Sequence, residues 1–206
     1  MMKIWSPNIA GQRIHNTKGI NHAPAKCVPA KEVNLNRQMQ DAWKKHVWGT
    51  REVILSIVNS LPGTTSSVNS LLQNPAEMAG HFAPYYSTAV ISEMADLFTT
   101  HLKQGGDIVT AAKTGDMKKV EDLTRQWYAN SDDIARFYAG INPYYSEAEV
   151  RDMMYQHLKL TLTEASQEIR GQHDDAIKTF VQIQDEATQM ADYFAAGLVK
   201  QFPDRF

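Results

Sequence analysis

The sequence predicts an all-α fold, an up-down bundle of four to five long helices preceded by an extended N-terminal arm. Apolar residues recur at steps of three and four along most of the chain, which is the period of a helix with one buried face. No window shows the alternation of apolar and polar residues that is typical of a half-buried strand. The linkers between the long helical segments are short, apart from residues 62–84, and short linkers favour antiparallel neighbours.

Residues 1–33 are interpreted as a basic arm, and residues 34–206 as the helical domain. The arm has three prolines, no helical period, and a net charge of +4 from five basic residues and one acidic residue. A basic arm beside a more acidic body predicts docking onto that body or onto a neighbouring copy. We therefore expect a homo-oligomer joined through residues 1–33. One hypothesis for the function is a non-enzymatic structural subunit that assembles into an oligomer or filament in this way.

Start and stop signals divide the helical domain. The long helices are predicted at about residues 34–61, 85–113, 116–140, 146–171 and 173–202, with shorter helical pieces between residues 64 and 84. Asp116 has the side chain of an N-cap, and Ser146 with Glu149 has the spacing of a capping box. Each long helix is therefore bounded by recognisable cap or breaker residues.

Polar residues interrupt the apolar stripes near the centres of four of the long helices. His46, His101, Asn130 and His157 each occupy a position where the period calls for an apolar residue. Helix centres lie at similar heights in an up-down bundle, so these four side chains can share one layer. The fifth helix has a mostly apolar stripe: Ile177, Phe180, Gln184, Ala187, Ala191, Phe194 and Leu198.

Three interpretations of this layer stay open. The first is a mononuclear site for a divalent metal ion or small ligand, held by His46, His101 and His157, with Asn130 as a fourth contact or as a partner that orients a histidine. The second is a hydrogen-bonded polar network inside the core. The third is that the stripes are displaced by one position and some of these side chains are exposed. A di-iron centre is not expected, because no Glu or Asp stands three residues before any of the three histidines.

Composition limits the classes of function. A net charge of −2 gives no basic field for nucleic acid, and no run of 18 apolar residues exists to span a membrane. Cys27 is the single cysteine, so no intrachain disulfide can form. With no secretory leader at the N-terminus, we expect a cytoplasmic protein, and release by a nonclassical route stays open. No nucleophile or phosphate-loop motif is present, which leaves open whether the protein is an enzyme.

Several short motifs resemble a family of small bacterial all-helical proteins of unknown function. They include His46-Val-Trp-Gly-Thr-Arg51, Leu71-Leu72-Gln73-Asn74-Pro75, Trp127-Tyr128-Ala129-Asn130, Ile141-Asn142-Pro143-Tyr144 and Met190-Ala191-Asp192, within residues 34–198. The resemblance implies a helical bundle, distantly ferritin-like in appearance, and no specific activity. Members are sometimes labelled acetylglutamate kinase, a label that conflicts with this sequence because such a kinase needs an α/β fold with glycine-rich phosphate loops.

Overall fold

A computed structural model describes residues 28–206, and these residues are mostly helical. The helices are α1 (Ala30–Val58), α2 (Thr64–Leu71), α3 (Asn74–Gly80), α4 (Thr88–Thr114), α5 (Met117–Ile141), α6 (Glu147–Ile169) and α7 (His173–Gln201), followed by a 3-10 turn at Pro203–Arg205. No strand occurs within residues 28–206, so the prediction of an all-α fold is confirmed.

The N-terminal ends of α1 and α4 differ from the prediction. Helix α1 begins at Ala30, within the segment interpreted as arm, because Pro29 at the N-cap has φ −57° and leads directly into the helix. Helix α4 begins at Thr88, after the N-cap Ser87, whereas the sequence placed its start near residue 85. Residues 30–33 therefore belong to the first helix, and residues 1–27 of the predicted arm lie outside the described residues.

The caps of α5 and α6 are close to the prediction. The Asp116 carboxylate accepts a hydrogen bond from the Lys119 backbone N–H at 3.1 Å, and the Ser146 hydroxyl accepts one from the Glu149 N–H at 3.3 Å. The reciprocal half of the expected capping box is not formed, because the Glu149 carboxylate accepts a hydrogen bond from the Tyr193 hydroxyl instead, at 2.9 Å.

The five long helices pack around one shared core. Helix α1 packs on α7, α7 on α6, α6 on α5, α5 on α4, and α4 on α1. Aromatic side chains fill part of the interior: Trp43 of α1 stacks on Phe194 of α7, and the Phe194 ring stacks on Tyr138 of α5 at 4.2 Å between centroids. Helix α3 packs against α1 and α4, whereas α2 packs chiefly against α1.

The length and hydropathy of the helices in residues 28–206 bear on whether any of them could span a membrane. None of the helices in this part of the chain combines the length and the apolar character that crossing a bilayer requires.

Candidate functional site

The three histidines singled out by the sequence lie in the core and line one cavity. His46 of α1, His101 of α4 and His157 of α6 are only 2–3% exposed, and all three contribute to the wall of a cavity of about 30 Å³. About 10–15 Å³ of such space is enough to hold one water molecule, so the cavity can take a small guest. The His46 and His157 rings have centroids 5.6 Å apart and are tilted by 42° to each other. The apolar stripes were therefore in register at these positions, and the interpretation that some of these histidines are exposed is wrong.

Side-chain amides fix the tautomers of two of the rings. Nδ1 of His46 lies 3.0 Å from Oδ1 of Asn74, whose amide Nδ2 donates to the Ala42 carbonyl at 3.1 Å. A backbone carbonyl can only accept, so the amide orientation is settled, and Asn74 Oδ1 must accept a hydrogen bond from the imidazole N–H. In neutral His46 the proton is therefore on Nδ1, and Nε2 has a free lone pair.

The same arrangement recurs at His101. Its Nδ1 lies 2.9 Å from Oδ1 of Asn130, and the Asn130 amide donates to the Leu97 carbonyl at 3.2 Å. The Trp127 indole N–H also donates to the His101 carbonyl, at 2.9 Å, and its ring lies 5.0 Å from the imidazole. The His101 ring is held on its Nδ1 side, and its Nε2 is buried with no hydrogen-bond partner.

The third ring is held by a buried carboxylate. Nδ1 of His157 lies 2.9 Å from Oε2 of Glu186 on α7, and both side chains are nearly inaccessible to solvent. A carboxylate accepts the Nδ1 proton and fixes the orientation of the ring. The other carboxylate oxygen, Oε1 of Glu186, is buried without a partner. All three imidazoles therefore use Nδ1 toward an oxygen acceptor.

Burial keeps two of the imidazoles neutral. Desolvation, together with the neighbouring His157, lowers the pKa of His46 to about 3. Desolvation and the nearby His157 and His46 lower the pKa of His101 to about 3 as well. Near neutral pH both rings are therefore uncharged and have an unprotonated Nε2 available as an electron-pair donor.

The cavity wall combines these imidazoles with apolar side chains. Within residues 28–206, no group of three or more His, Cys, Asp or Glu side chains is arranged closely enough to hold a metal ion as it stands. Asn130 is 6% exposed and does not line the cavity, since it lies behind His101 as the acceptor for Nδ1. Of the two roles considered for Asn130, the structure therefore has it orienting a histidine rather than facing the cavity.

A buried charged cluster adjoins the cavity along α1 and α6. The Arg51 guanidinium pairs with Glu164 and, at 3.2 Å, with Glu168, and both carboxylates are almost fully buried. Glu168 also contacts the exposed ring of His173 at 2.6 Å. Burial raises the pKa of Glu164 to about 7, although Arg51 opposes the shift.

Two residues of the site, Asn74 and Glu186, were not found from the sequence. Asn74 lies among the short helical pieces predicted between residues 64 and 84, and in the structure its side chain is buried and oriented toward His46. Glu186 lies three residues after the buried Ile183, so its helical spacing was a usable signal. The predicted stripe of α7 instead began at Ile177, which is 53% exposed.

Comparisons with known proteins add no relative to this description. No family model, no curated protein and no solved structure matches the chain. The family resemblance noted from the sequence stays a prediction. The fold and site define an all-helical protein with a histidine-lined cavity in its core.

Proposed function

We propose that this protein is an up-down helical bundle that binds one divalent transition metal ion in its core, between Nε2 of His46, His101 and His157. The observation that carries the proposal is that each Nδ1 lies within hydrogen-bond distance of an oxygen acceptor. Metal-ligating histidines usually donate their second ring N–H in this way, to a carboxylate or carbonyl, which leaves the other nitrogen for the ion.

Two of the rings offer electron pairs to a guest in the cavity. Near neutral pH the unprotonated Nε2 atoms of His46 and His101 can accept a hydrogen bond or bind a metal ion. A divalent ion such as Zn²⁺ accepts electron pairs from all three rings and has an affinity for neutral imidazole. The cavity of about 30 Å³ is large enough for an ion.

Binding requires the three rings to move closer to one another. Two imidazoles on one tetrahedral zinc ion, each with a Zn–N bond of about 2.0 Å, have centroids about 5 Å apart. The His46 and His157 centroids are 5.6 Å apart, so this pair needs only a small approach. His101 must also come closer, since no preformed group of three ligands exists within residues 28–206. Its Nε2 has no hydrogen bond that such a movement would break.

The test is a zinc titration of protein made without a histidine tag and stripped with a chelator. The chain has seven histidines, so a matched pair of variants separates the core from the rest. One variant replaces the four others, His15, His22, His81 and His173, by Gln, and it should still bind one equivalent of zinc. The single variant His101→Ala should lose that equivalent while circular dichroism shows an unchanged helix content.

Either of two results overturns the proposal. One is a native protein that takes up no zinc, cobalt, nickel, copper, iron or manganese with submillimolar affinity. The other is a bound equivalent that persists in His101→Ala and disappears from the variant lacking the four other histidines. The core histidines would then serve as a hydrogen-bonded network that holds the helices together.

A further inference from the structure

The core cavity has one side that reaches the surface. Nine of its lining residues are buried, and the four that are partly exposed are Thr50 of α1 and Leu102, Gly105 and Gly106 of α4. These four lie on two neighbouring helices that pack against each other. The cavity therefore opens toward solvent between α1 and α4, and we call this group of four residues the opening.

Gly106 leaves free space at the opening, and packing does not explain why this position is a glycine. A Cβ atom added at Gly106 would meet no other atom within 4 Å, apart from its own helix and chain neighbours. Its neighbour Gly105 differs, because a Cβ there would lie 3.3 Å from the Trp127 ring. Glycine within a helix lowers stability relative to alanine, so the packing of α4 accounts for Gly105 and not for Gly106.

Thr50 contributes a polar group without a hydrogen-bond partner to the opening. Its hydroxyl Oγ1 is buried and has no hydrogen-bond partner, although most buried hydroxyls have one. Among residues 28–206, the only other polar atom of the cavity wall that is buried without a hydrogen-bond partner is Nε2 of His101. A molecule in the cavity therefore has both a metal-binding face and a hydroxyl to contact.

Leu71 covers the cavity from a third helix. It is the one buried residue of α2, and it lines the cavity together with Thr50. Its Cδ1 would lie 3.0 Å from a Cβ added at Gly49, so the glycine allows this close approach. Helix α2, which holds Leu71, packs chiefly against α1.

We propose that the core ion binds a second, exogenous ligand: a small neutral or anionic molecule, up to the size of a linear triatomic anion, that passes the opening and accepts a hydrogen bond from Thr50. This inference rests on the proposed metal function. Three protein ligands leave a fourth position on a tetrahedral ion free, as in catalytic rather than structural zinc sites. The small cavity favours a short ligand over a ring-shaped one, and a dication favours an anion.

The experiment uses the full chain loaded with Co²⁺, whose visible spectrum reports changes of coordination, and azide as the probe. Azide should change the spectrum of the cobalt protein with a saturable dependence, whereas imidazole, a five-membered ring, should leave it unchanged. Gly106→Leu should keep one equivalent of cobalt and weaken azide binding at least tenfold, because its side chain fills the opening. Thr50→Val keeps the shape and removes the hydroxyl, and should weaken azide binding about fivefold.

Gly140→Leu is the matched control, since a Cβ at Gly140 of α5 also meets open space and lies away from the cavity. It should bind azide as the native protein does. A cobalt-loaded native protein that shows no response to azide overturns this inference and leaves the metal site standing. Equal azide affinity in the Gly106→Leu and Gly140→Leu variants overturns the opening between α1 and α4. A chain that takes up no cobalt overturns the proposed function itself, and this inference with it.

Discussion

The Glu164→Gln substitution should change how the stability of the protein depends on pH. Glu164 is 1% exposed, and burial raises its carboxyl pKa from an ordinary 4.5 to about 7. Between these two values the folded protein binds a proton that the unfolded chain has lost. The native carboxyl therefore costs stability as the pH rises from 4.5 to 7, and a neutral glutamine does not.

The expected size of the effect follows from this pKa shift. At about 1.4 kcal/mol for each pKa unit, raising the pKa from 4.5 to about 7 corresponds to about 3 kcal/mol. The free energy of unfolding of Glu164→Gln minus that of the native protein should therefore increase by about 3 kcal/mol between pH 4.5 and pH 7.5. Arg51 keeps Glu168 as a partner in this variant, so the guanidinium is not left alone.

Urea denaturation followed by tryptophan fluorescence, in buffers with a chelator, measures this difference. Taking the difference between variants cancels the opposite pH dependence of His46 and His101, whose lowered pKa values make the protein more stable as the pH rises from about 3 to 6.5. Glu93→Gln, at an exposed position of α4, is the control and should give a flat difference. A flat difference for Glu164→Gln as well would refute the role assigned to the buried carboxyl.

Four substitutions test the packing around the site and core, each by urea denaturation. Gly197→Ala should lower the free energy of unfolding by about 3 kcal/mol, because the new Cβ would lie 1.9 Å from the Tyr145 ring. Gly106→Ala should raise it by about 0.5–1 kcal/mol, whereas Gly105→Ala should give less or none of this gain against its indole neighbour. Asn130→Leu should cost about 2 kcal/mol, because it leaves the Nδ1–H of His101 buried without a partner.

The contradicting results are equally specific. A Gly197→Ala protein as stable as the native chain would mean that α7 does not approach the Tyr145 ring as described. Destabilisation by Gly106→Ala would show that this glycine is required by the backbone or its surroundings. Surface substitutions typically change the free energy of unfolding by no more than about 0.5 kcal/mol. If Asn130→Leu stays within this margin of the native protein, the Asn130 amide does not contribute to the core network.

Helix boundaries were predictable where side chains cap the helix. Asp116 and Ser146 could be identified because their oxygens satisfy free N–H groups in the first turn. The start of α1 at Ala30 was missed because Pro29, the residue at its N-cap, has no capping side chain and stands in a segment that contains other prolines. The three histidines were predictable because a polar residue stands out on a long apolar stripe.

The partners of the histidines were harder to predict for a physical reason. A glutamate is expected at the surface, because burying a charge is costly unless it is paired. Glu186 becomes acceptable in the core only through His157, which is 29 residues away in sequence. Asn74 lies on a short helix with little periodicity, and its buried amide is likewise explained by a distant partner, His46. Such pairs depend on how helices pack, which the spacing within one helix does not determine.

X-ray absorption spectroscopy of the zinc-loaded protein tests the central claim most directly. The account predicts one zinc ion per chain, with three imidazole nitrogens at about 2.0 Å and one further light-atom ligand. The spectrum of His101→Ala, prepared with the same amount of zinc and freed of unbound metal, should retain no such centre. A native spectrum with fewer than three imidazoles, or a protein from which all zinc washes away, would contradict the account.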